Sequence, residues 1–153
     1  MLDTLLLACA PLIAPDTAWA LISVESAAHP YAIGVVAGRL TRQPRNRLEA
    51  LATARALEAA GVNYSVGLAQ INRTNFARLG LSLETAFAPC ENVQAMQSIL
   101  AECFGRAGGR EAPQVALRRA LSCYYSGNFR TGFRHGYVRK VLDAWRRGSG
   151  LPA

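Results

Sequence analysis

Glu25 is the side chain whose position in this sequence most favours chemistry. It follows Leu21 and Ile22 at helical spacing, so it lies on the apolar side of a predicted helix that must end before Pro30. Partial burial and the negative end of a helix both raise the pKa of a carboxyl group. A carboxylic acid that keeps its proton near neutral pH can donate it to a leaving oxygen. A glutamate that accepts hydrogen bonds from a neighbouring loop is the alternative, and position alone does not separate the two.

Three short segments that occur in a fixed order resemble the motifs of one enzyme family. The sequence has VES at 24–26, SVGLAQIN at 65–72 and LSCYYSGN at 121–128. They resemble the Glu-Ser, Gly-Leu-x-Gln-Ile/Leu and Ala-Tyr-Asn-x-Gly motifs of the lytic transglycosylases that share a goose-type lysozyme fold. The longer strings YAIGVV, SVGLAQIN and CYYSGNFRTGF are most similar to the branch that serves type IV secretion systems. The similarity runs from about residue 9 to residue 142.

The resemblance assigns a role to each matching residue. It implies that Glu25 is the catalytic acid. Gly67 would let the backbone approach a substrate closely, and the amide and tyrosine side chains of the motifs suit sugar binding. Tyr125 stands where the family has asparagine, which leaves the role of an amide there open. The substrate-binding residues expected on this basis are Ser26, Ser65, Gly67, Gln70, Asn72, Tyr124, Tyr125 and Asn128.

Some of these residues also have a purely structural interpretation. Gln70 and Asn72 are equally suited to capping the next helix, and one of the two tyrosines is expected in the core. His29 is interpreted as a helix-end residue without a catalytic role, and His135 as part of a glycine-rich turn before the last helix.

The resemblance implies a mechanism with one carboxyl group. Glu25 would cleave the bond between N-acetylmuramic acid and N-acetylglucosamine in peptidoglycan and leave a 1,6-anhydro sugar, with no metal or cofactor. The partners expected are glycan strands and type IV secretion components, and the chain is expected to be a monomer. A muramidase that uses water, a wall-binding assembly factor without activity, and a basic nucleic-acid-binding domain are the alternatives, and the last rests on charge alone.

Composition limits the class of protein. A hydrophobic fraction of 51% with 18% charged residues excludes a disordered chain, and the net charge of +7 favours anionic partners. Lysine and arginine never form a run longer than two, so a dedicated nucleic-acid arm is not expected. The apolar segment LLLACAPLIA has no basic region before it and no membrane-spanning length, so we interpret it as part of the fold and not as a signal peptide. The family resemblance nevertheless implies a periplasmic or cell-envelope location.

The elements that must position these residues are predicted to be helical. We expect a mainly α, single lysozyme-like domain over residues 1–153 with a substrate cleft. Its loop lies at 34–47, and residues 143–153, which include the last part of the final predicted helix, form a C-terminal tail. No alternating pattern long enough for a strand is present. The predicted helices are DTAWALISVES, LEALATARALEAAG, RTNFARLG, SLETAFA, PCENVQAMQSILAECFGRAGG, QVALRRALSCYYSG and YVRKVLDAWRRG.

Four cysteines allow two interpretations, buried thiols or disulfides formed in an oxidising compartment. If the helices at 91–104 and 114–124 run antiparallel, Cys90 lies beside Cys123. Cys9 and Cys103 then remain, and a bridge between them is inferred only by elimination. Without a Cys-x-x-Cys pair, a zinc site is not expected.

Overall fold

Prolines and polar caps begin several helices of this chain. The computed structural model describes residues 1–149. Pro15, Pro89 and Pro113 each occupy the first turn of a helix, where a missing N–H is tolerated. The Asn46 side chain accepts a hydrogen bond from the Glu49 N–H and caps another helix. The α-helices of the described residues are α1 Leu2–Cys9, α2 Pro15–Ser26, α3 Arg47–Ala59, α4 Leu83–Phe87, α5 Pro89–Arg106, α6 Pro113–Ser126, α7 Thr131–Arg134 and α8 Tyr137–Ser149.

A small antiparallel sheet accompanies the helices. Strands β1 Ile33–Val35, β2 Tyr64–Val66 and β3 Ile71–Asn72 pair in the order β1-β2-β3. Ile33 lies opposite Val66, and Ser65 lies opposite Asn72. Strands of two or three residues are too short to show an alternating pattern, which is why the sequence does not predict them. The mainly α fold class is confirmed.

Two groups of buried side chains form the core. The larger group joins α2, α5, α6 and α8 through residues such as Leu21, Met96, Leu121 and Val141. The smaller group lies under the sheet, α3 and α4. In the larger group α2 packs on α8 and α5 packs on α6, so the three sequence motifs and the last helix meet in one region.

Three predicted boundaries need correction. Gly34 and Val35 belong to β1, and Arg47 begins α3, so the loop is shorter than 34–47. The segment RTNFARLG was predicted as a helix but forms only a 3-10 turn at Arg73–Asn75 followed by further turns. The segment is short, because it begins at the cap residue Asn72, which ends a strand, and stops at Gly80. Helix α8 continues to Ser149, so the predicted tail is helical as far as the structure describes it, and 150–153 lie outside the described residues. None of the described helices is both long enough and apolar enough to span a membrane.

The predicted disulfides Cys90–Cys123 and Cys9–Cys103 are wrong. The bridges are Cys9–Cys90, which joins α1 to the start of α5, and Cys103–Cys123, which joins α5 to α6. The prediction assumed that α6 returns along the whole length of α5. Instead the last turns of the two helices meet, since Arg106 of α5 also donates to the carbonyl of Gly127, which follows α6. Cys90 lies about 19 Å from that crossing along the axis of α5, and it bonds to the cysteine of the apolar first helix.

Candidate active site

Glu25 lies in the last turn of α2, which ends where Ala27 adopts a left-handed conformation with φ 52°. The Tyr137 hydroxyl at the start of α8 donates a hydrogen bond of 2.5 Å to Glu25 Oε1. Burial raises the pKa of Glu25 from 4.5 to about 7, and the hydrogen bond from Tyr137 opposes part of that rise. The raised pKa agrees with the prediction from the sequence. A carboxyl group in this environment holds a transferable proton near neutral pH.

Tyr124 of the third motif lies near this acid, and Tyr125 lies against its donor, Tyr137. The Tyr124 hydroxyl donates to the carbonyl of Ala69 at 2.7 Å, and the side chain packs against the larger core group. Tyr125 stacks on Tyr137 with ring centroids 4.6 Å apart, and its hydroxyl lies 3.0 Å from His135 Nδ1. Burial and the nearby Glu25 carboxylate raise the pKa of Tyr124 and Tyr137 well above the ordinary value. Both phenols therefore stay protonated and can act as donors.

The turn at 67–70 is held by hydrogen bonds of a buried asparagine, Asn92. Asn92 donates to the carbonyls of Val66 at 3.0 Å and Ala86 at 2.7 Å, and it accepts from the Ala69 N–H at 2.8 Å. Gly67 has φ +80°, and a Cβ there would lie 2.3 Å from the Asn92 amide nitrogen. The close approach that Gly67 permits is therefore that of Asn92, whereas the sequence analysis assigned it to the substrate.

Gln70 and Asn72 both line the cleft. Gln70 has φ 50° and donates from Nε2 to the carbonyls of Ala32 and Gly67. Asn72 donates to Ser65 Oγ at 3.1 Å and accepts from the Thr74 N–H, so the capping interpretation holds for Asn72 but not for Gln70. Ser65, Gln70 and Asn72 are brought together on one side of the cleft by the sheet.

Besides Gly67, two more of the predicted binding residues, Ser26 and Asn128, lie outside the cleft lining. Ser26 donates to the carbonyl of Leu68 at 2.7 Å and so ties the end of α2 to the glycine turn. Asn128 Oδ1 accepts from the N–H groups of Arg130 and Thr131 at the start of α7. These contacts position the motif segments relative to one another.

The cleft has a volume of about 720 Å³ and contains Glu25, Tyr124 and Tyr125 together with the polar side chains of the sheet. In the described part of the chain the only other carboxylate in its lining is Glu102, whose oxygens lie 2.9 and 3.0 Å from Arg78 Nη1. Within the same residues no group of histidine, cysteine and acidic side chains is arranged to hold a metal ion. The arrangement can therefore supply one free acid to a bound polymer.

Comparison with known proteins identifies the family. The family model for the Transglycosylase SLT domain matches residues 7–144. The chain belongs to this family. It is 49% identical over 143 residues to the Type IV secretion system protein virB1 of Brucella abortus (strain 2308), which covers 88% of this chain and 59% of that protein. It is 36% identical over 136 residues to Protein virB1 of Agrobacterium fabrum (strain C58 / ATCC 33970), which covers 89% of this chain and 56% of that protein.

These matches confirm the resemblance to transglycosylases and to the type IV secretion branch. The chain spans less than three fifths of the length of the two relatives. No solved structure matches the chain at a significant level.

The SLT domain also contains site residues that the sequence analysis missed. Tyr137 lies 112 residues from the acid to which it donates, and no local pattern marks it. Asn92 could have been found from the sequence, because it lies four residues before Met96 on the apolar side of a predicted helix. The structure shows that it is fully buried, where an amide needs hydrogen-bond partners. Arg78, Glu102 and Arg106 line the cleft from turns and helix faces that look like ordinary solvated surface in sequence.

Proposed function

We propose that this SLT domain is a lytic transglycosylase that cleaves the bond between N-acetylmuramic acid and N-acetylglucosamine in peptidoglycan. The observation that carries the proposal is Glu25, a carboxyl group with a pKa of about 7 that faces a cleft whose second carboxylate is bound to Arg78. Hydrolytic glycosidases ordinarily use two available carboxylates. Transglycosylation needs one.

The reaction follows from the two states of Glu25. Tyr137 donates to Oε1, which leaves Oε2 to carry the proton. Transfer of that proton to the bridging oxygen breaks the bond at C1 of the muramoyl sugar and releases the N-acetylglucosamine hydroxyl. The Glu25 carboxylate then takes the proton from the 6-hydroxyl of the muramoyl sugar as that oxygen bonds to C1. The product is a 1,6-anhydro ring, no water is consumed, and Glu25 regains its proton.

The biological setting is part of the same proposal. Two of the relatives are a Type IV secretion system protein virB1 and a Protein virB1. We infer that the domain opens the wall locally for a type IV secretion apparatus, which requires a periplasmic location and contact with its components. The net charge of +7 supports an anionic wall polymer as the surface on which the domain acts.

Mass spectrometry of digested peptidoglycan tests the reaction. Anhydro ends weigh one water less than hydrolysed ends, so wild-type protein should release anhydro-muropeptides. Glu25→Gln keeps the shape but removes the proton, and it should lower the rate by about 10²–10⁴-fold. Hydrolysed ends would identify a muramidase instead. A Glu25→Gln protein with near wild-type activity would rule out Glu25 as the acid.

Glu102→Gln is the second arm, because Glu102 is the other cleft carboxylate in the described residues. A single-acid mechanism predicts a loss of less than about tenfold, since Glu102 contributes only its contact with Arg78. A loss equal to that of Glu25→Gln, together with hydrolysed ends, would support the two-carboxylate alternative. An inactive wild type that still binds the wall would support the assembly-factor alternative.

A further inference from the structure

Two arginines line the cleft, and they differ in charge balance. Arg78 forms a salt bridge with Glu102 at 2.9 Å. Arg106 donates to Cys123 Sγ at 3.4 Å and to the Gly127 carbonyl at 3.3 Å, which are neutral acceptors. No carboxylate among residues 1–148 lies within ion-pair distance of the Arg106 guanidinium. Among these residues Arg106 therefore has no ion-pair partner.

The Arg106 guanidinium has a defined position. It lies 5.6 Å from the centre of the Phe129 ring, and it contacts Cys123 and Gly127, one on each side of the tyrosine pair in the sequence. The bridge between Cys103 and Cys123 fixes α5, which carries Arg106, against α6, which carries Tyr124 and Tyr125. These contacts use two of its N–H groups and leave the others for a ligand in the cleft.

We propose that Arg106 binds a carboxylate carried by the lactyl substituent of the muramoyl sugar, either on the attached peptide or on the lactyl group itself. A guanidinium with free N–H groups matches a carboxylate in two-point geometry, which lysine does not. The proposal rests on the proposed peptidoglycan substrate and assigns part of the specificity of the same cleft. Arg106 is then a specificity residue, and it takes no part in the transfer of the proton.

Arg119 provides a matched control within the same pair of helices. Its guanidinium also lies over the Phe129 ring, at 4.5 Å, and it donates to a backbone carbonyl, that of Ala107 at 2.9 Å. Unlike Arg106, it is ion-paired with Glu111 and is absent from the lining of the cleft. Arg119→Gln removes an equal charge and a contact with the same ring, at a position outside the lining of the cleft.

The experiment compares kcat/KM on three glycan substrates. The first carries native peptides. In the second the peptide carboxylates have been converted to amides with carbodiimide and ammonia before the enzyme is added. In the third an amidase has removed the peptides, which leaves a free lactyl carboxylate. Each preparation of wild type, Arg106→Gln, Arg106→Lys and Arg119→Gln is measured on all three, so the ratio of rates does not depend on the fraction of folded protein.

Wild type and Arg119→Gln should prefer a carboxylate-bearing strand to the amidated strand by about tenfold. Arg106→Gln should lose this preference, and Arg106→Lys should retain part of it. Preference for native strands assigns the peptide carboxylate, and preference for the stripped strands alone assigns the lactyl carboxylate. An equal preference in wild type and Arg106→Gln would overturn the proposal while anhydro products still supported the transglycosylase. Absence of anhydro products from wild type would instead overturn the proposed function.

Discussion

Glu25 is held in a state that favours proton transfer and disfavours folding. Its carboxyl group is partly buried at the end of α2 and has one hydrogen-bond donor, Tyr137. One donor does not offset the loss of water, so the pKa rises to about 7. Because the charged form is disfavoured only in the folded protein, the same environment that suits a general acid must reduce stability when Glu25 ionises.

We therefore expect Glu25→Gln to be more stable than wild type above neutral pH. Below pH 4.5 the carboxyl is protonated in the folded and unfolded chain, and Glu25 costs nothing. As pH rises from 4.5 to about 7, the unfolded chain ionises first and wild type loses stability. At about 1.36 kcal/mol per pH unit, the loss reaches about 3 kcal/mol. Chemical denaturation of both proteins from pH 4 to pH 8 measures the difference.

All other titrating groups are shared by the two proteins, so their difference isolates Glu25. Glu84→Gln is the control at an exposed acid whose pKa is lowered by its backbone contacts and by Arg55. Its stability difference from wild type should have the opposite trend with pH. A wild type at least as stable as Glu25→Gln at pH 8 would show that Glu25 is fully satisfied as a carboxylate.

At the scale of elements, the glycine turn depends on a contact between β2 and α5. Gly67→Ala places a methyl group at φ +80° and 2.3 Å from the Asn92 amide, so Asn92 must give up hydrogen bonds to move. We expect a loss of about 3 kcal/mol in unfolding free energy. Gly61→Ala has a similar φ of +67° with nothing within 4 Å and should lose only about 1 kcal/mol. Equal losses in thermal or denaturant unfolding would mean that Asn92 does not hold the turn.

The two disulfides should have separable effects. Cys9–Cys90 closes a separation of 81 residues and Cys103–Cys123 one of 20. Loop-closure entropy gives about 4.5 and about 3 kcal/mol, respectively. Only Cys103 and Cys123 line the cleft. Serine at 9 and 90 should therefore cost more stability, and serine at 103 and 123 more activity. Denaturant midpoints and digestion rates check this, and activity losses that follow stability losses would contradict it.

How far the sequence predicted these elements depends on the range of the interactions involved. Helices α2, α3, α5, α6 and α8 follow from spacing, prolines and glycines that lie within the segment itself. The disulfide pairing failed because it required the crossing of α5 and α6, which packing determines. Glu25 was predicted from its own helix, but the Tyr137 donor was not, because it belongs to a helix at the other end of the chain.

At the scale of the whole molecule, the charge is spread over the surface. The net charge of +7 comes mainly from arginines distributed along the chain, while the cleft holds the acid Glu25 and Arg106, which forms no ion pair with a carboxylate of the described residues. Distributed charge acts at a distance and is screened by salt, whereas contacts in a partly enclosed cleft are screened less. Capture of the wall and recognition of the scissile bond should therefore respond differently to ionic strength.

Binding to peptidoglycan sacculi should weaken several-fold between 0.05 and 0.5 M salt, because the Debye length falls from about 14 Å to about 4 Å. Glu25→Gln is the protein to use, since we expect it to bind the polymer without digesting it. A combined Arg39→Gln, Arg110→Gln and Arg134→Gln variant at exposed positions lowers the net charge from +7 to +4 and should flatten the salt dependence. Cosedimentation measures the binding of Glu25→Gln with and without the three arginine substitutions.

Because these three arginines lie outside the lining of the cleft, their removal from otherwise wild-type protein should leave kcat on saturating substrate unchanged. A salt dependence equal in the two proteins would place the decisive charges inside the cleft, and Arg106 would then be the first to examine.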